Sequence, residues 1–315
     1  MKTNEKKAYS RGISIIIPTY NRPQCLKRAL QSINKLSCNQ LEIIVVDDNS
    51  TKQNYLENEE IIKQIQRVTN LQIILLKNET NVGVACSRNR AISTATRKWC
   101  LFLDDDDELQ STYLDFLFSI IENKPNFDIG WSDVISINDS VDKSQTLKKF
   151  DINPHNIEEK FISIGIGFGV ICKTEVLLEV NGFSENLKIA EDTDLFIRML
   201  ELGKSVTHFN TIGMVIHENS YNALTGNFSR YAREHVYKKI YRKHRQFFYL
   251  KKNLSISFSY WVIQVYLMHN KKISAFNFAL EVCLKNFLHK PIYNLIKYTF
   301  ENLNSFSKNS KYEMF

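Results

Sequence analysis

The segment Leu101-Phe102-Leu103-Asp104-Asp105-Asp106-Asp107-Glu108-Leu109 joins an apolar run to four consecutive aspartates. The apolar part is typical of a buried strand, but neighbouring carboxylates repel one another and raise each other's pKa. A divalent cation, which prefers oxygen ligands, would offset this repulsion. A solvated loop whose aspartates cap the following helix would also account for them. The segment alone leaves both interpretations open, so the rest of the chain has to decide between them.

Short apolar runs alternate with helical patterns on the N-terminal side of this segment. We predict strands over 13–17, 41–46, 71–76 and 99–103, with helices after Pro23 and over 53–67 and 84–94. This alternation predicts a parallel sheet with right-handed crossovers, in which ligands bind beyond the carboxyl ends of the strands. Three strands end in polar residues there, namely Pro18-Thr19-Tyr20-Asn21, Asp47-Asp48 and the four aspartates. Two acidic strand ends at one edge favour a cation or a positively charged ligand over a simple cap.

The pattern is less regular after the four aspartates. We expect a helix over 112–121, a strand over 127–137, a polar surface loop over 139–154 and a return to the sheet over 161–172. A short helix from Thr174 to Asn181-Gly182, a helix that begins near Glu191 and a strand over 206–216 follow. Asp192 lies in the first turn of that helix, where a carboxylate could simply complement the helix dipole.

Two common classes of nucleotide-binding protein are disfavoured, because no glycine-rich phosphate loop follows the first strand. Such a loop would be expected in a P-loop NTPase or a dinucleotide-dependent oxidoreductase. The segment Gly165-Ile166-Gly167-Phe168-Gly169 lies in the middle of the chain and lacks the strand–turn–helix context. We interpret it as a site of close backbone packing or a flexible loop.

The composition is that of a globular protein. The 315 residues, 43% hydrophobic and 24% charged, suggest two domains or one large α/β domain with an extension. The six cysteines form no CxxC pair, which favours buried thiols in a reducing compartment over disulfides or a zinc site. The polar N-terminus and the lack of a long apolar run predict neither a signal peptide nor a spanning helix.

The net charge of +7 arises in the C-terminal third of the chain. Residues 229–315 hold 16 Lys and Arg against 4 Asp and Glu, and from Arg230 onward a helical pattern mixes aromatic residues with the cations. Such a surface suits a membrane interface, and it also suits nucleic acid. A helical bundle whose aromatic residues pack inward would give a similar sequence.

Five motifs give the chain a resemblance to the family 2 glycosyltransferases of the GT-A fold. They lie in order within residues 14–22, 42–50, 81–89, 102–107 and 182–195. The resemblance implies an α/β, Rossmann-like, mostly parallel sheet flanked by helices, with a C-terminal helical extension. It divides the chain into a tail (1–12), a GT-A transferase domain (13–222) and a basic aromatic helical extension (223–315). Within the transferase domain, the nucleotide-binding half is 13–110 and the acceptor half is 111–222.

The resemblance also implies an inverting transferase that uses a nucleotide-diphospho-sugar with Mn²⁺ or Mg²⁺. Asp106 and Asp104 match the DxD motif as metal ligands, and His217 falls where some relatives place a further ligand. The residues implied for nucleotide-sugar binding are Pro18, Thr19, Tyr20, Asp47, Asp48, Arg88, Asp104 and Asp105. Asp105 is among them because the run of aspartates leaves the register of the DxD motif open by one residue. In the first register, Asp105 and Asp107 would only space the cluster and cap the next helix. Asp192 matches the catalytic base, with Glu191 beside it.

The predicted reaction is transfer of a hexose or N-acetylhexosamine to a saccharide acceptor, with a UDP-sugar as the first choice of donor. We expect the acceptor to be lipid-linked and the pathway to be O-antigen- or capsule-type polysaccharide synthesis. The expected location is cytoplasmic, with the C-terminal helices as candidates for peripheral contact with anionic lipid on the inner face of the membrane. No nucleic-acid partner is expected. Two alternatives keep the fold: sugar nucleotidyl transfer, which would want a glycine-rich N-terminal loop, and a non-catalytic saccharide-binding scaffold.

Overall fold

The computed structural model describes residues 9–33, 40–69, 71–123, 126–138, 144–218, 230–269 and 271–286. The chain divides into two compact units: the first is Met1–Ile157 with Ile164–Tyr221, and the second is Glu158–Ser163 with Asn222–Phe315. Parts of three predicted segments lie outside the described residues. They are 1–8 of the tail, 139–143 of the loop, and 223–229 and 287–315 of the extension.

The described residues of the first unit form one nine-stranded sheet. Its strands are β1 (Ser10–Thr19), β2 (Leu41–Asp47), β3 (Ile73–Lys77), β4 (Arg97–Phe102), β5 (Glu108–Leu109), β6 (Ile129–Asn138), β7 (Gln145–Lys148), β8 (Ile171–Lys173) and β9 (Val206–Glu218). They lie in the order β3-β2-β1-β4-β8-β6-β9-β5, and β7 pairs with β6. The pairs among β1, β2, β3 and β4 are parallel, whereas β8 is antiparallel to both β4 and β6. The sheet is therefore parallel in its N-terminal half and mixed beyond it.

Helices connect these strands and continue into the second unit. Those of the first unit are α1 (Pro23–Ser32), α2 (Lys52–Thr69), α3 (Val84–Thr94) and α4 (Tyr113–Glu122), followed after α5 (Ile157–Ser163) by α6 (Thr174–Glu179) and α7 (Glu191–Glu201). All of α5 except its first residue belongs to the second unit. The alternation of strands and helices confirms the predicted α/β class.

The central strand β1 sets the edge at which the polar residues gather. Its isoleucines, among them Ile15 and Ile17, are 0% exposed, and the strand pairs with β2 on one side and β4 on the other. The last β1–β4 pair joins Ile16 to Phe102. Pro18 follows, and it has no N–H to extend the ladder. The chain after β4 therefore leaves the sheet at this point and enters the four aspartates.

The predicted return to the sheet over 161–172 is wrong for most of its length. Helix α5 continues to Ser163, and the strand β8 is limited to Ile171–Lys173. Three glycines fall between these elements, and Gly169 has a φ of 62°, a left-handed conformation that interrupts any strand. The loop predicted over 139–154 is also wrong in part, because it contains β7, which pairs with β6. The strands predicted over 13–17, 41–46, 71–76, 99–103, 127–137 and 206–216 are confirmed to within a few residues as β1, β2, β3, β4, β6 and β9.

The second unit contains α8 (Arg230–Lys243), α9 (Arg245–Leu250), α10 (Lys252–Met268) and α11 (Lys272–Asn286). Aromatic rings of these helices pack against one another in its interior, and those with at most 4% exposure are Tyr241, Phe248, Phe258, Tyr266 and Phe278. For these rings the inward-packing interpretation is confirmed. Throughout the described part of the chain, every helix is too short or too polar to cross a membrane.

Candidate active site

The four aspartates after β4 alternate between outward and inward positions. The side chains of Asp104 and Asp106 are 31% and 16% exposed, whereas that of Asp105 is 1% exposed. Asp107 is also buried, and its N–H donates to the carbonyl of Asp104 at 3.1 Å, which closes a tight turn. The two aspartates assigned to the DxD motif are therefore those whose carboxylates reach the surface.

The two inward aspartates are bound by groups from distant parts of the first unit. Asp105 accepts a hydrogen bond from Oγ1 of Thr19 at 2.6 Å, and burial raises its pKa to about 7 although the Arg22 guanidinium opposes the shift. Asp107 accepts the main-chain N–H of His217 at 3.0 Å, and burial together with the neighbouring aspartates raises its pKa well above its usual range. Burial is the first cause of both shifts, because it disfavours the charged form of a carboxyl group.

Two arginines face this acidic cluster, Asp104–Asp107: Arg22, immediately before α1, and Arg28, in the middle of α1. Nη2 of Arg22 lies 2.5 Å from Oδ1 of Asp105, and Nη1 lies 2.7 Å from Oδ2 of Asp106. Arg28 donates from Nη2 to the main-chain carbonyl of Asp106 at 2.5 Å. Arg22 thus binds the carboxylates themselves, whereas Arg28 binds the backbone that carries one of them.

A third arginine, Arg88 of α3, joins the acidic cluster to the start of α7. Its side chain is 4% exposed, with Nη2 at 2.7 Å from Oδ1 of Asp104 and Nη1 at 2.9 Å from Oε1 of Glu191. The guanidinium also lies 5.3 Å from the ring centre of Phe183. A buried arginine bound to two carboxylates brings together residues that are far apart in the sequence.

Asp192 follows Glu191 in the first turn of α7. Its two carboxylate oxygens accept the main-chain N–H groups of Thr193 at 2.7 Å and Ile166 at 3.3 Å. Burial, with the adjacent Glu191 carboxylate, raises the pKa of Asp192 to about 7, and Arg88 opposes this shift. A carboxylate that titrates near neutral pH is suited to accept a proton from a reacting hydroxyl.

The residues at the end of β1 differ in how far they reach solvent. Pro18 pairs with Val46 of β2, and Thr19 is 2% exposed because its hydroxyl binds Asp105. Tyr20 is 37% exposed and is the most accessible of the three. The structure brings these residues and the acidic cluster to the same edge of the sheet, as the sequence predicted.

Asp47 and Asp48, at the end of β2, are buried and stabilise their own loops. Asp47 is 0% exposed and accepts the N–H of Ser50 at 2.7 Å. Asp48 is 5% exposed and accepts the N–H groups of Val82 at 3.0 Å and Gly83 at 2.8 Å. The carboxylate of Asp48 therefore fixes the turn that leads into α3, the helix that carries the bridging arginine.

The glycine loop, Gly165–Gly169, lies against both groups of carboxylates. A Cβ on Gly165 would lie 3.7 Å from Oδ2 of Asp192. A Cβ on Gly167 would lie 3.2 Å from Oδ2 of Asp107 and 3.6 Å from Oδ2 of Asp104. The prediction of close backbone packing is confirmed, but the packing partners are the candidate catalytic groups, which the sequence did not indicate.

Comparison with known sequences places this site in a family. The sequence model described as glycosyl transferase family 2 matches residues 14–180, just over half of the chain. The chain belongs to glycosyl transferase family 2. The match covers the strands and loops that carry the acidic cluster and Arg88.

Curated relatives are similar to only part of the chain. An "uncharacterized glycosyltransferase" of Haemophilus influenzae is 28% identical over 60% of this chain and 62% of its own length. The amylovoran biosynthesis glycosyltransferase AmsB of Erwinia amylovora is 29% identical over 61% and 65%. The GalNAc(5)-diNAcBac-PP-undecaprenol beta-1,3-glucosyltransferase of Campylobacter jejuni is 33% identical over 33% of each chain. The chain therefore spans less than two thirds of the length of each of these relatives.

Solved structures extend the likeness over nearly the whole chain. TarS 1-349 of S. aureus in complex with UDP-GlcNAc has a TM-score of 0.62 and 19% identity, with coverage of 93% of this chain and 92% of that chain. The mannosyltransferase PcManGT of Pyrobaculum calidifontis in complex with GDP-Man and Mn²⁺ has a TM-score of 0.55 and 14% identity, with coverage of 97% and 92%. At such identities the likeness shows the fold, and it confirms the predicted GT-A architecture.

The acidic cluster of this family 2 member has the donor chemistry that Mn²⁺ or Mg²⁺ requires. Asp104 and Asp106 present carboxylate oxygens, the ligand type that both ions prefer. Within the described residues, however, no three His, Cys, Asp or Glu side chains are grouped so that they could hold an ion. Oxygens of Asp104 and Asp106 are instead paired with Arg88 and Arg22. The residues fit a divalent cation in kind, and their use as its ligands stays a prediction.

His217, the third predicted ligand, lies beside the acidic cluster at the end of β9. Its main-chain N–H binds Asp107, and its Nε2 lies 2.7 Å from Oε1 of Glu108. The imidazole is 7% exposed. Its location is consistent with a role near the cluster, but a role as a metal ligand stays a prediction.

The sequence did not indicate the role of three parts of this family 2 site: Arg22, Arg28 and the glycine loop. Arg22 lies within the first motif and follows β1 at the functional edge, so its position could have been used as a signal. Arg28 carried no such signal, because its contact depends on the direction of α1. The glycine loop was noticed, but only its three-dimensional position connects it with Asp104 and Asp192.

Proposed function

We propose that this chain is an inverting glycosyltransferase that moves a sugar from a nucleotide-diphospho-sugar to a saccharide acceptor. The observation that carries the proposal is the bridge of Arg88 between Asp104 and Glu191. It links the acidic cluster to Glu191, the neighbour of Asp192, which supports treating these carboxylates as one site at the carboxyl edge of the sheet. Sugar transfer needs the two functions that these groups can supply, which are stabilisation of the leaving diphosphate and removal of a proton from the acceptor.

On the acceptor side, Asp192 accepts the proton of the acceptor hydroxyl while that oxygen attacks the anomeric carbon of the donor. Attack from the face opposite the leaving diphosphate inverts this carbon. The two main-chain N–H groups that bind the Asp192 carboxylate fix its orientation. Glu191, paired with Arg88, positions the first turn of α7 beside the acidic cluster. We assign acceptor binding to the segment 111–222.

On the donor side, the segment 13–110 binds the nucleotide-sugar. Asp106 and Asp104, with His217, would hold a Mn²⁺ or Mg²⁺ ion whose charge offsets that of the leaving diphosphate. The oxygen donors of the two aspartates and their partial exposure support this assignment. The residues proposed to contact the nucleotide-sugar are Pro18, Thr19, Tyr20, Asp47, Asp48, Arg88, Asp104 and Asp105.

The names of similar proteins support a role in polysaccharide synthesis. AmsB is named for amylovoran biosynthesis, and the Campylobacter jejuni relative is named for glucosyl transfer to a PP-undecaprenol-linked saccharide. TarS was solved with UDP-GlcNAc. For this chain we take a UDP-linked hexose or N-acetylhexosamine as donor and a lipid-linked saccharide as acceptor, used at the inner face of the membrane.

The proposal is tested by incubating the purified full chain with Mn²⁺ and a panel of UDP- and GDP-sugars, with and without lipid-linked saccharides. Mass spectrometry of the products should show release of the nucleoside diphosphate. Formation of a nucleoside triphosphate and a sugar 1-phosphate from the same donors, after pyrophosphate is added, would instead indicate nucleotidyl transfer. Donor binding in a thermal-shift assay without turnover by any acceptor would favour a non-catalytic scaffold.

Variants of the two proposed groups test the site itself. Asp106→Ala and Asp192→Asn should each lower turnover by about 10²-fold or more, since each removes one of the two functions. Asp115→Asn, at an exposed position of α4, makes a similar chemical change away from the site and should leave turnover unchanged. Full activity in both site variants would overturn the assignment.

A further inference from the structure

We propose that Arg22 is a built-in competitor of the divalent cation, whose guanidinium leaves Asp106 when the cation binds and then contacts the donor diphosphate. This inference rests on the proposed function and deepens it. It assigns to one residue the link between metal binding and donor binding.

Arg22 holds a carboxylate oxygen that a cation would need. Its two terminal nitrogens bind Oδ1 of Asp105 at 2.5 Å and Oδ2 of Asp106 at 2.7 Å. The side chain is 11% exposed, so the ion pairs are largely shielded from solvent. A guanidinium and a metal ion cannot share one lone pair of Asp106, and their like charges repel one another at such short range. Binding of the cation at this oxygen therefore requires that Arg22 move.

The backbone at Arg22 is fixed, so the motion falls to its side chain. The preceding residue, Asn21, has a φ of 56°, and its N–H donates to Oγ of Ser50 at 2.8 Å. Oδ1 of Asn21 accepts the N–H of Thr51 at 2.8 Å and the side-chain amide of Asn54 at 3.0 Å. These bonds tie the turn to the end of β2. A long side chain on a fixed turn can exchange partners without a change in the fold.

Once a metal ion binds Asp106, the surroundings of Arg22 favour an anion. Arg22 immediately precedes Pro23, the first residue of α1, so it lies at the positive end of a helix dipole. A cation there is stabilised by Asp105 and Asp106 and not by the helix. When the metal neutralises Asp106, the planar guanidinium is free to form paired hydrogen bonds with phosphate oxygens.

The other two arginines are not equivalent to Arg22. Arg28 contacts the main-chain carbonyl of Asp106, and its Nε lies 3.6 Å from Oε1 of Glu108. It therefore adds positive charge without occupying the Asp106 carboxylate. Arg88 is held at its other end by Glu191, which would keep it in place if Asp104 changed partner. Competition for the outward carboxylate of Asp106 is thus assigned to Arg22.

The first experiment measures Mn²⁺ binding to the full chain without nucleotide, by electron paramagnetic resonance of free Mn²⁺. We expect Arg22→Ala to tighten Mn²⁺ binding by about tenfold or more, because the competing charge and the competing contact are both removed. Arg28→Ala removes the same charge nearby but leaves the contact of Arg22 with the Asp106 carboxylate in place, and we expect a change below about threefold. Equal tightening in both variants would reduce the effect to net charge and overturn the proposal.

The second experiment measures UDP binding at saturating Mn²⁺ by calorimetry. Arg22→Ala should weaken UDP by about tenfold, opposite in sign to its effect on Mn²⁺, because a charge-assisted contact to phosphate is lost. Arg22→Lys should weaken UDP by less, since it keeps the charge but not the paired geometry. Unchanged UDP affinity in Arg22→Ala would overturn the second half of the proposal.

Two outcomes distinguish a failure of this inference from a failure of the proposed function. If the wild-type chain binds neither Mn²⁺ nor UDP, the proposed function fails and this inference fails with it. If wild type binds both and Arg22→Ala changes neither affinity, only the inference fails. A lower melting temperature with weaker binding of both ligands would show that Arg22 has a structural role, which also contradicts the proposal. Urea unfolding of each variant measures that outcome directly.

Discussion

At the scale of single residues, Asp192 makes the proposed reaction dependent on pH. Burial and the neighbouring Glu191 raise the pKa of Asp192 to about 7. The carboxylate accepts a proton only when it is ionised, so kcat/KM should rise with pH through about 7 and level off above it. Initial rates with a fixed donor and acceptor between about pH 5.5 and 9 measure this profile.

The Asp192→Asn variant shows whether this titration belongs to Asp192. Asparagine cannot accept the proton, so turnover should fall by about 10²-fold or more. The residual turnover should no longer depend on pH near 7. UDP affinity at saturating Mn²⁺ should not change, since Asp192 is assigned to the acceptor side. A residual activity with the wild-type profile would place the base elsewhere.

The same titration predicts an effect on stability of known sign. The pKa of Asp192 is raised from 3.8 to about 7, so the folded state binds this proton more tightly than the unfolded state does. Binding of this proton stabilises the folded state most at pH values below the unfolded pKa of 3.8. That stabilisation is lost as the pH rises to the folded pKa of about 7. Asp192→Asn removes the titration, so its melting temperature relative to wild type should increase by a few degrees between about pH 5 and 8.

A matched control separates this effect from the loss of hydrogen bonds. Asparagine keeps one acceptor oxygen, so one of the two main-chain N–H contacts of Asp192 is weakened at every pH. The informative quantity is therefore the change with pH and not the difference at one pH. Asp115→Asn, on the surface of α4, should shift the melting temperature by a constant amount over the same range. A constant shift for Asp192→Asn as well would contradict the raised pKa.

Single residues also show where sequence analysis reached its limit. The sequence located the acidic cluster, because an apolar run that stops at aspartates marks a strand end. The residue pattern alone could not divide the four aspartates into an outward and an inward pair, since residues in a turn have no periodicity from which exposure can be read. Only the family resemblance separated Asp104 and Asp106 from the other two. The burial of Asp105 against Thr19 depends on a contact between residues 86 positions apart. Only the fold supplies that contact.

At the scale of elements, the glycine loop limits how the carboxylates can be arranged. A Cβ on Gly167 would lie 3.2 Å from Oδ2 of Asp107 and 3.6 Å from Oδ2 of Asp104. A methyl group there must displace a carboxylate by a few tenths of an ångström. We expect Gly167→Ala to lower Mn²⁺ affinity and kcat/KM by about tenfold, since small misplacements at a reacting site are costly. Mn²⁺ titration and initial rates measure the two effects.

Gly165→Ala is the matched control within the same loop. Its Cβ would meet Oδ2 of Asp192 at 3.7 Å, an ordinary van der Waals distance, and it would lie on the side of the proposed base. Mn²⁺ affinity should therefore stay at the wild-type value, and any loss should appear in turnover alone. If Gly165→Ala weakened Mn²⁺ as much as Gly167→Ala, the loop would act through general disorder and not through contact with the acidic cluster.

The elements themselves were predicted unequally, and the reason is physical. Strands β1 and β2 are β-branched runs buried on both faces, so composition and length were sufficient to identify them. The segment 161–172 has a similar apolar content, but its buried side chains belong to the end of a helix and to a loop. A buried segment is apolar whatever its backbone conformation, so apolar content could not distinguish a strand from a loop here. The three glycines were the better signal, because they indicate a break in the strand.

At the scale of the whole molecule, the second unit presents cations beside exposed apolar side chains. Leu250 is 79% exposed and is followed by Lys251 and Lys252, while Ile273 is 77% exposed and follows Lys272. Isolated exposed apolar residues are common, but neighbouring lysines make each pair suitable for an anionic lipid surface. We therefore expect the full chain to sediment with vesicles of about 30% anionic lipid at low salt and to be released at about 0.5 M salt.

Charge reversals in the two units give a matched test of this expectation. Each lysine near an anionic surface contributes about 1 kcal/mol, so Lys252→Glu with Lys272→Glu should weaken vesicle binding at least about tenfold. Lys63→Glu with Lys98→Glu makes the same change of net charge at exposed positions of the first unit and should have a smaller effect. Equal losses would mean that net charge alone drives binding, and no binding by wild type at low salt would exclude the membrane contact. Since the proposed donor and base residues all lie in the first unit, loss of vesicle binding without loss of donor hydrolysis would assign membrane contact and chemistry to different units.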